Sequence, residues 1–354
     1  MAAILDLFPE CRGGRVSLRF DLFLERLLYH PKHGYYCQPG LRFGKRGDYY
    51  TAPQVHSFFA QVLSEHLLQI WEEMKRPSRF TLMELGPGDG TLAFQMLAFI
   101  RERFQGFHSA VRYIGLEVSK ALAEQQRQKL APFSCASIVA GKFSEADPSP
   151  FRGALFSNEF FDALPFRRFK RGRKRWLEYF VDVEPKGLQG GWRATDWRPD
   201  FSFPMPVGGI LERRDVFDDF YRFAPQVLKQ GIMIHFDYGE RAEDLNPKGT
   251  IRTFYKHRLG EDPFVHLGEQ DVTASVDFSH LVQLGDARGF RSRLLNQRQY
   301  LIERGLLEKI ALRFQDARAD QVKILQEKLA LKNLIVPGGI SDQFKVLIQE
   351  KSSH

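Results

Sequence analysis

Short apolar runs of strand length alternate along this chain with longer segments of helical periodicity. Three of these runs cover 80–85, 111–117 and 136–140, and two more cover 154–158 and 231–237. Short continuous apolar runs separated by helices are typical of βαβ units, in which a parallel sheet is buried on both faces. Because crossovers between parallel strands are right-handed, the pattern predicts an α/β protein with a Rossmann-like, doubly wound and mostly parallel sheet.

Apolar residues that recur every three or four positions predict the helices. Ser17 is the expected N-cap of a first helix over 18–29, and His30-Pro31 ends that helix. Further helices are predicted over 53–74, 91–104, 119–130, 212–229, 277–284, 296–304 and 308–331, and a last strand over 344–348.

The regular pattern breaks between about 166 and 212. Strand-like alternation over 176–183 and the Gly/Trp-rich turn Gly190-Gly191-Trp192 predict a β-hairpin insert there. The chain of 354 residues is also longer than a typical domain of about 100–200 residues. We therefore expect three parts: an N-terminal helical and loop segment that covers the active site (1–76), a Rossmann-like core with helical additions (77–165 and 230–354), and an insert with a basic hairpin and a helix (166–229).

Composition excludes several classes of protein. No apolar run reaches the roughly 20 residues that span a bilayer, and residues 1–6 carry an early acid and no basic region of the kind found in targeting peptides. The three cysteines, Cys11, Cys37 and Cys135, are odd in number and far apart, which argues against a disulfide framework or a zinc site. His30-x-x-His33 has no neighbouring acid or cysteine, so no metal is expected. These features predict a cytoplasmic protein.

A glycine-rich turn, Glu84-Leu85-Gly86-Pro87-Gly88-Asp89-Gly90, lies between the first core strand and its helix. Glycines allow a tight turn and the close approach of a ligand, and the helix N-terminus offers free N–H groups. The third glycine comes one residue earlier than in the dinucleotide fingerprint Gly-x-Gly-x-x-Gly, where Thr91 stands instead. Glu84 would repel a pyrophosphate, but it can hold the cationic amino group of a methionine moiety.

A second acid, Glu117, ends the next predicted strand. A nucleoside that crosses the sheet at its switch point would place its ribose diol at this position. The alternative is a plain glycine-rich turn with a surface glutamate. Glu84, the three glycines and Glu117 together favour S-adenosylmethionine as the cofactor.

Three polar residues, Asn158, Glu159 and Asp162, follow the fourth predicted strand among aromatic side chains. Open α/β sheets place their reacting groups at the carboxyl ends of strands. An acidic pair such as Glu159 and Asp162 can grip a guanidinium group, and a carboxylate can take up the proton that a methylated nitrogen releases. A capped turn over a hydrophobic patch is the structural alternative.

The segment Asn158-Glu159-Phe160-Phe161-Asp162-Ala163-Leu164-Pro165 resembles the signature of the MidA-like methyltransferases, which include an arginine methyltransferase that acts in assembly of mitochondrial complex I. The resemblance covers nearly the whole chain. Other matching segments are Pro31-x-x-Gly34-Tyr35-Tyr36, Gly47-Asp48-Tyr49-Tyr50-Thr51-Ala52-Pro53, Gly86-Pro87-Gly88-Asp89-Gly90-Thr91-Leu92 and Asp237-Tyr238-Gly239. Asp89, Gln54 and Ser275 depart from the residues usual in the family.

The resemblance to class I methyltransferases implies a role for each candidate residue. Gly86, Gly88 and Gly90 would line the methionine and the ribose, Glu84 would contact the amino acid part, and Glu117 would bind the ribose hydroxyls. Asn158, Glu159 and Asp162 would hold the methyl acceptor. The acid that usually follows the third strand is replaced by 141–143, Gly-Lys-Phe, so the contact to adenine is not assigned.

Much of the net charge of +8 lies in one basic run, residues 167–175. A solvated hairpin is one reading. The other is a strip that binds phosphates, with Phe166, Phe169 and Trp176 available for stacking on bases. Three functions therefore stay open: a protein methyltransferase acting on arginine, an RNA or small-molecule methyltransferase with the same core, and a non-catalytic assembly chaperone. A homodimer is also compatible with the sequence.

Overall fold

The computed structural model describes residues 2–38, 56–143, 149–199, 205–256, 258–314, 327–329, 331–332, 334–338 and 340–351. The chain folds into two compact units. The first comprises 1–49, 161–219 and 239–281, and the second comprises 50–160, 220–238 and 282–354. The three-part division expected from the sequence stays a prediction.

The second unit is built on one large sheet. Its strands are β2 Phe80–Leu85, β3 Val111–Glu117, β4 Ala136–Ala140, β5 Phe151–Asn158, β10 Leu228–Glu240, β15 Arg291–Asn296 and β16 Phe344–Lys351. They lie in the order β15-β16-β10-β5-β2-β3-β4. The strands from β10 to β4 are parallel to one another, whereas β16 is antiparallel to β10 and β15 is antiparallel to β16. The predicted α/β class with a mostly parallel sheet is therefore confirmed.

One face of this sheet packs against helices in a large apolar core. Leu82, Phe156 and Ile234 of the sheet join Leu63 and Leu97 from two of these helices, and all five are buried. Burial of this kind of surface is the main stabilising contribution to the fold. The helices with bounds inside the second unit are Phe58–Glu73, Thr91–Arg103, Gln105–Ala110, Lys120–Leu130, Gln297–Glu303, Leu306–Arg313 and Ile340–Gln343.

The first unit contains two smaller antiparallel sheets. Its strands are β1 Val16–Arg19, β6 Arg167–Arg171, β7 Trp176–Glu184, β8 Gly187–Ala194, β9 Ile210–Arg213, β11 Arg252–Tyr255, β12 Arg258–Gly260, β13 Asp271–Thr273 and β14 Val276–Asp277. Five of them form a sheet with the order β1-β7-β6-β9, in which β8 pairs with β7. A three-stranded sheet has the order β12-β11-β13, and β14 pairs with Gly239 and Glu240 at the end of β10.

Helices of the first unit include Ala2–Leu7 and Phe20–Tyr29, with short 3-10 turns at Pro9–Gly13, Tyr35–Cys37 and Ala242–Asp244. Two further helices are Val216–Val227 and Phe278–Asp286. In the part of the chain that the structure describes, no helix is both long and apolar enough to span a membrane.

Ser17 is not the helix cap that its residue type predicted. It lies in β1 and pairs with Asp182 of β7, and the helix predicted over 18–29 begins only at Phe20. Val16 and Leu18 alternate with polar residues, a pattern that suits a strand once a partner strand is available. That partner is distant in sequence, so local periodicity could not reveal it.

The predicted turn at Gly190-Gly191-Trp192 is also wrong, because β8 runs straight through it and pairs with 179–181. Glu184 pairs with Gly187, so the turn lies at Pro185 and Lys186. A Cβ atom at position 190 would collide with the hydroxyl of Tyr179. Glycine is there to make room for a cross-strand ring rather than to turn the chain.

The structure gives different bounds for two of the predicted helices. The helix predicted over 212–229 begins at Val216, because Ile210–Arg213 pairs with β6 as a strand. The helix predicted over 308–331 is described as Leu306–Arg313, and much of the remainder lies outside the described residues. The start of the helix predicted over 53–74 and the matching segment 47–53 also lie outside them.

Candidate cofactor and substrate site

The strand register places three of the predicted site residues on one face of the large sheet. Glu84 pairs with Gly115 of β3 and with Phe156 of β5. Glu117 and Asn158 each lie two residues farther along those strands, and side chains two residues apart share a face. Glu84, Glu117 and Asn158 therefore project from the same face, near the carboxyl ends of three adjacent strands.

Glu84 is buried in β2, where 2% of the residue is exposed. Burial raises the pKa of its carboxyl to about 7, while a hydrogen bond from Tyr113 opposes that rise. The Tyr113 hydroxyl donates to Glu84 Oε2 at 2.6 Å. A carboxylate in such a place is costly unless a cation or further donors reach it.

Glu117 is buried at the end of β3, and burial raises the pKa of its carboxyl to about 7. The Ser119 backbone N–H donates to its Oε1 at 2.9 Å, and Gln126 Nε2 donates to its Oε2 at 3.1 Å. Ser119 also caps the helix Lys120–Leu130, because its hydroxyl accepts from the Leu122 N–H. The cap fixes the start of the helix that carries Gln126.

The three glycines of the loop between β2 and its helix all have left-handed backbone conformations, with φ of 60° at Gly86, 57° at Gly88 and 74° at Gly90. Residues with a Cβ rarely adopt this region, so the loop requires glycine at these positions. A Cβ at Gly86 would lie 2.8 Å from the Phe160 ring. The Gly88 carbonyl accepts from Gln126 Nε2 at 2.7 Å, which ties the loop to Glu117 through one side chain.

Asn158 and Glu159 lie at the end of β5 and contact each other. Asn158 Nδ2 donates to Glu159 Oε1 at 3.1 Å. Glu159 has a left-handed backbone, φ 52°, and its N–H donates to the Phe236 carbonyl at 2.8 Å. The next N–H, of Phe160, donates to Asp237 Oδ2 at 3.1 Å. A strained non-glycine residue that is held by its neighbours is a common feature of functional sites.

Asp162 falls in the first unit, apart from the other candidates in the division of the chain. Its backbone carbonyl accepts from Arg214 Nη2 at 3.0 Å. Arg214 is 1% exposed and also donates to the carbonyls of Leu164, Ala274 and Ser275. The structure thus fixes the main chain of this part of the motif by a buried guanidinium.

The residues present fit a nucleoside cofactor that carries an ammonium group. Gln126 Oε1 and Asn158 Oδ1 are buried and have no hydrogen-bond partner within the described residues. Unpartnered buried acceptors are uncommon in native proteins and suit a site that a polar ligand completes. An ammonium group and hydroxyl donors are also what two buried carboxyl groups with raised pKa values require.

The first two residues of the basic run, Arg167 and Arg168, form ion pairs within the protein. Arg167 pairs with Glu178 and Asp215 at 2.8 and 2.9 Å, and Arg168 pairs with Glu212 at 3.4 Å. Arg171, Arg173, Lys174 and Arg175 are exposed.

The expectation that aromatic rings beside the run are available for stacking is wrong for two of the three. Phe166 and Phe169 are fully buried, and Phe169 stacks on Trp197 with ring centroids 3.8 Å apart. Large aromatic rings in the inner face of a small sheet supply most of its apolar core, so they are drawn inward.

Comparison with known proteins identifies the family. Residues 62–295 match the family described as "Putative S-adenosyl-L-methionine-dependent methyltransferase". The chain belongs to this family. The match covers more than half of the chain. It includes the glycine loop, Glu117 at the end of β3 and the motif that begins at Asn158.

Named relatives and a solved structure agree with that assignment. The mitochondrial "Protein arginine methyltransferase NDUFAF7 homolog" of Drosophila melanogaster is 28% identical over 75% of this chain and 66% of its own length. The mouse "Protein arginine methyltransferase NDUFAF7" is 27% identical over 80% of this chain and 70% of its own length. The chain thus spans about two thirds of the length of these relatives.

The crystal structure of a "likely methyl transferase" from Burkholderia thailandensis, bound to S-adenosyl-homocysteine, superposes on this chain with a TM-score of 0.84. The two chains are 26% identical, and the match covers 99% of this chain and 92% of the other. The predicted class, a methyltransferase that uses S-adenosylmethionine, is confirmed.

Sequence reasoning missed two residues of the site, Tyr113 and Gln126. Tyr113, Gly115 and Glu117 occupy alternate positions of β3, so alternation placed Tyr113 on the face of Glu117. Gln126 stands four residues after Leu122 and four before Leu130, both of which are buried on the helix Lys120–Leu130. A glutamine in phase with buried leucines was the available signal.

Proposed function

We propose that this methyltransferase transfers the methyl group of S-adenosylmethionine to an arginine of a protein. The observation that carries the proposal is the end of β5, where Glu159 is held in a left-handed conformation beside Asn158. A carboxylate suits a guanidinium, which is cationic and offers paired N–H donors. The names of the relatives, protein arginine methyltransferases, support the same substrate.

For the cofactor, we assign Glu84 to the amino group of the methionine part and Glu117 to the ribose hydroxyls. The backbone of Gly86, Gly88 and Gly90 would contact the cofactor between these two acids. Glycine permits the left-handed turn of this loop and has no side chain that would block the cofactor. The bound cofactor supplies an electrophilic methyl group on a sulfonium.

The task of the protein in such a displacement is to align the nucleophile. We assign Asn158 and Glu159 to orienting the guanidinium, and Glu159 to holding the proton that the methylated nitrogen gives up. The role of Asp162 in holding the methyl acceptor stays a prediction from the sequence motif.

RNA is the less favoured acceptor. Arg167 and Arg168 already bond to carboxylates of the protein, and Phe166 and Phe169 are buried, which leaves few of the expected contacts to phosphate and base. A homodimer and a cytoplasmic location stay predictions.

The test is a labelling experiment on an extract of cells that lack this protein. Purified protein and S-adenosylmethionine labelled on its methyl group are added, and the label is followed through protease digestion, ribonuclease digestion and filtration. We expect label that only protease releases, found by mass spectrometry as methylarginine. Label released by ribonuclease, or passing the filter untreated, would overturn the proposal.

Glu159→Gln is the matched variant because it keeps volume and removes charge. Loss of a charge-assisted hydrogen bond costs on the order of 1.5–3 kcal/mol, which corresponds to roughly a ten- to hundredfold slower transfer. Affinity for S-adenosylhomocysteine should change little, since Glu84, the glycines and Glu117 would carry it. An unchanged rate would show that Glu159 does not hold the acceptor.

A further inference from the structure

One side chain, Gln126, joins the glycine loop to the acid at the end of β3. Its Nε2 donates to the Gly88 carbonyl at 2.7 Å and to Glu117 Oε2 at 3.1 Å. Its Cγ also lies close to the loop at Gly90, where a Cβ in place of the glycine hydrogen would come within 3.4 Å of it. The two parts of the site that come from different strands thus meet on a single amide.

The hydrogen bonds of its Nε2 leave the other polar atom of the Gln126 side chain unsatisfied. The residue is 0% exposed, and its Oε1 has no hydrogen-bond partner among the described residues. A buried acceptor without a partner costs stability, and a donor from a bound ligand would remove that cost. Its helix neighbours Leu122 and Leu130 are apolar and buried, so the same face tolerates leucine.

We propose that Gln126 is a positioning residue that holds the Glu117 carboxylate and the Gly88 peptide in the arrangement required for the cofactor's ribose. The inference rests on the proposed assignment of Glu117 to the ribose hydroxyls. Those hydroxyls can donate only to a carboxylate whose oxygens already face them. The donated hydrogen bond from Nε2 fixes one of the two oxygens, and the Ser119 N–H fixes the other.

The electrostatics of the pair agree with this role. Burial is the largest influence on Glu117 and raises the pKa of its carboxyl, while the hydrogen bonds from Ser119 and Gln126 lower that pKa. The neighbouring charge of Glu84 faces the same region, since the Glu117 charge contributes to raising the pKa of Glu84. Removal of the amide donor is therefore expected to raise the pKa of Glu117 further.

The test uses the full chain with Gln126→Met and, as a matched control on the same helix, Gln125→Met, which replaces an exposed glutamine. Gln126→Asn serves as a second variant, because it keeps the amide but is one methylene too short for both acceptors. For each protein, the dissociation constant of S-adenosylhomocysteine is measured by calorimetry across a pH series, and the melting temperature is measured without ligand.

We expect both variants at 126 to weaken binding about tenfold and to move the pH midpoint of binding upward. The ligand-free melting temperature of Gln126→Met should be lower than that of the wild type, because the Gly88 carbonyl and Glu117 lose the donor that they share. Gln125→Met should behave as the wild type.

Wild-type affinity and an unchanged pH midpoint in both variants would overturn the role of Gln126. A weaker affinity without a shift of the pH midpoint would also overturn it. A general structural defect weakens binding in this way, because it leaves the titration of Glu117 unchanged. Failure of the wild-type chain itself to bind S-adenosylhomocysteine would instead refute the proposed cofactor site.

Discussion

The two buried glutamates make this site sensitive to pH. In the folded protein, burial raises the pKa of Glu84 and of Glu117 from the ordinary 4.5 to about 7. Between those values these two groups hold more protons in the native state than in the unfolded state, so their contribution to the free energy of unfolding of the ligand-free protein falls as pH rises. Below the ordinary pKa this stabilisation is fully present, and it is lost as pH passes the raised value.

We therefore predict that Glu84→Gln removes one of these two contributions, so that its free energy of unfolding falls less steeply, or rises more steeply, than that of the wild type as pH rises from about 4.5 to about 7. Urea unfolding at intervals of pH measures the effect. Glu102→Gln, which changes an exposed acid, is the control and should leave the slope as it is in the wild type. A Glu84→Gln curve that runs parallel to the wild-type curve would show that folding does not raise the pKa of Glu84.

The loop between β2 and its helix is an element whose conformation is set by backbone chemistry. Gly86 combines a left-handed φ of 60° with a Phe160 ring 2.8 Å from the place of a Cβ. We predict that Gly86→Ala costs about 1–3 kcal/mol of stability, because an alanine is strained there, and that it weakens binding of S-adenosylhomocysteine as the Phe160 ring shifts.

Gly187→Ala is the matched control, since a Cβ at 187 would meet nothing within 4 Å. Its effect should stay within about 0.5 kcal/mol. Chemical denaturation and calorimetry measure both quantities. Equal stability of the two variants would show that the loop can change its conformation at no cost.

The sequence predicted some elements of the fold well and others poorly, for a physical reason. The bounds of β2, β3 and β4 were correct because strands in a parallel sheet are buried on both faces and appear as continuous apolar runs. β1 was mistaken for the start of a helix, since its partner strand β7, in which Val183 pairs with Val16, lies far away in the chain.

The site itself was predictable to a similar degree. Glycines and acids at strand ends are visible in one sequence, because spacing within a strand–turn–helix unit is local. Gln126 and Tyr113 were not, because their importance arises from the register of β2 on β3 and from the pairing of one amide with two distant acceptors. Such contacts depend on tertiary structure rather than on motif.

At the scale of the whole molecule, the net charge of +8 is distributed unevenly along the chain. Part of it is neutralised within the first unit, where Arg167 and Arg168 bond to acids. The exposed cations Arg173, Lys174 and Arg175 remain at the turn that follows β6. Surface charges of this kind contribute little to stability, and their main effect is on encounters with polyanions.

We predict that replacing Arg173, Lys174 and Arg175 together by Ser leaves the melting temperature and the rate of protein methylation close to those of the wild type. Any weak binding of RNA should fall, and its dependence on salt should become shallower by up to about 0.7 in log–log slope for each phosphate that the variant no longer binds. Filter binding at two salt concentrations, run beside the methylation assay, measures both effects. If the triple variant stops methylating while it remains folded, the turn contacts the substrate, and the prediction of a charge effect limited to RNA is wrong.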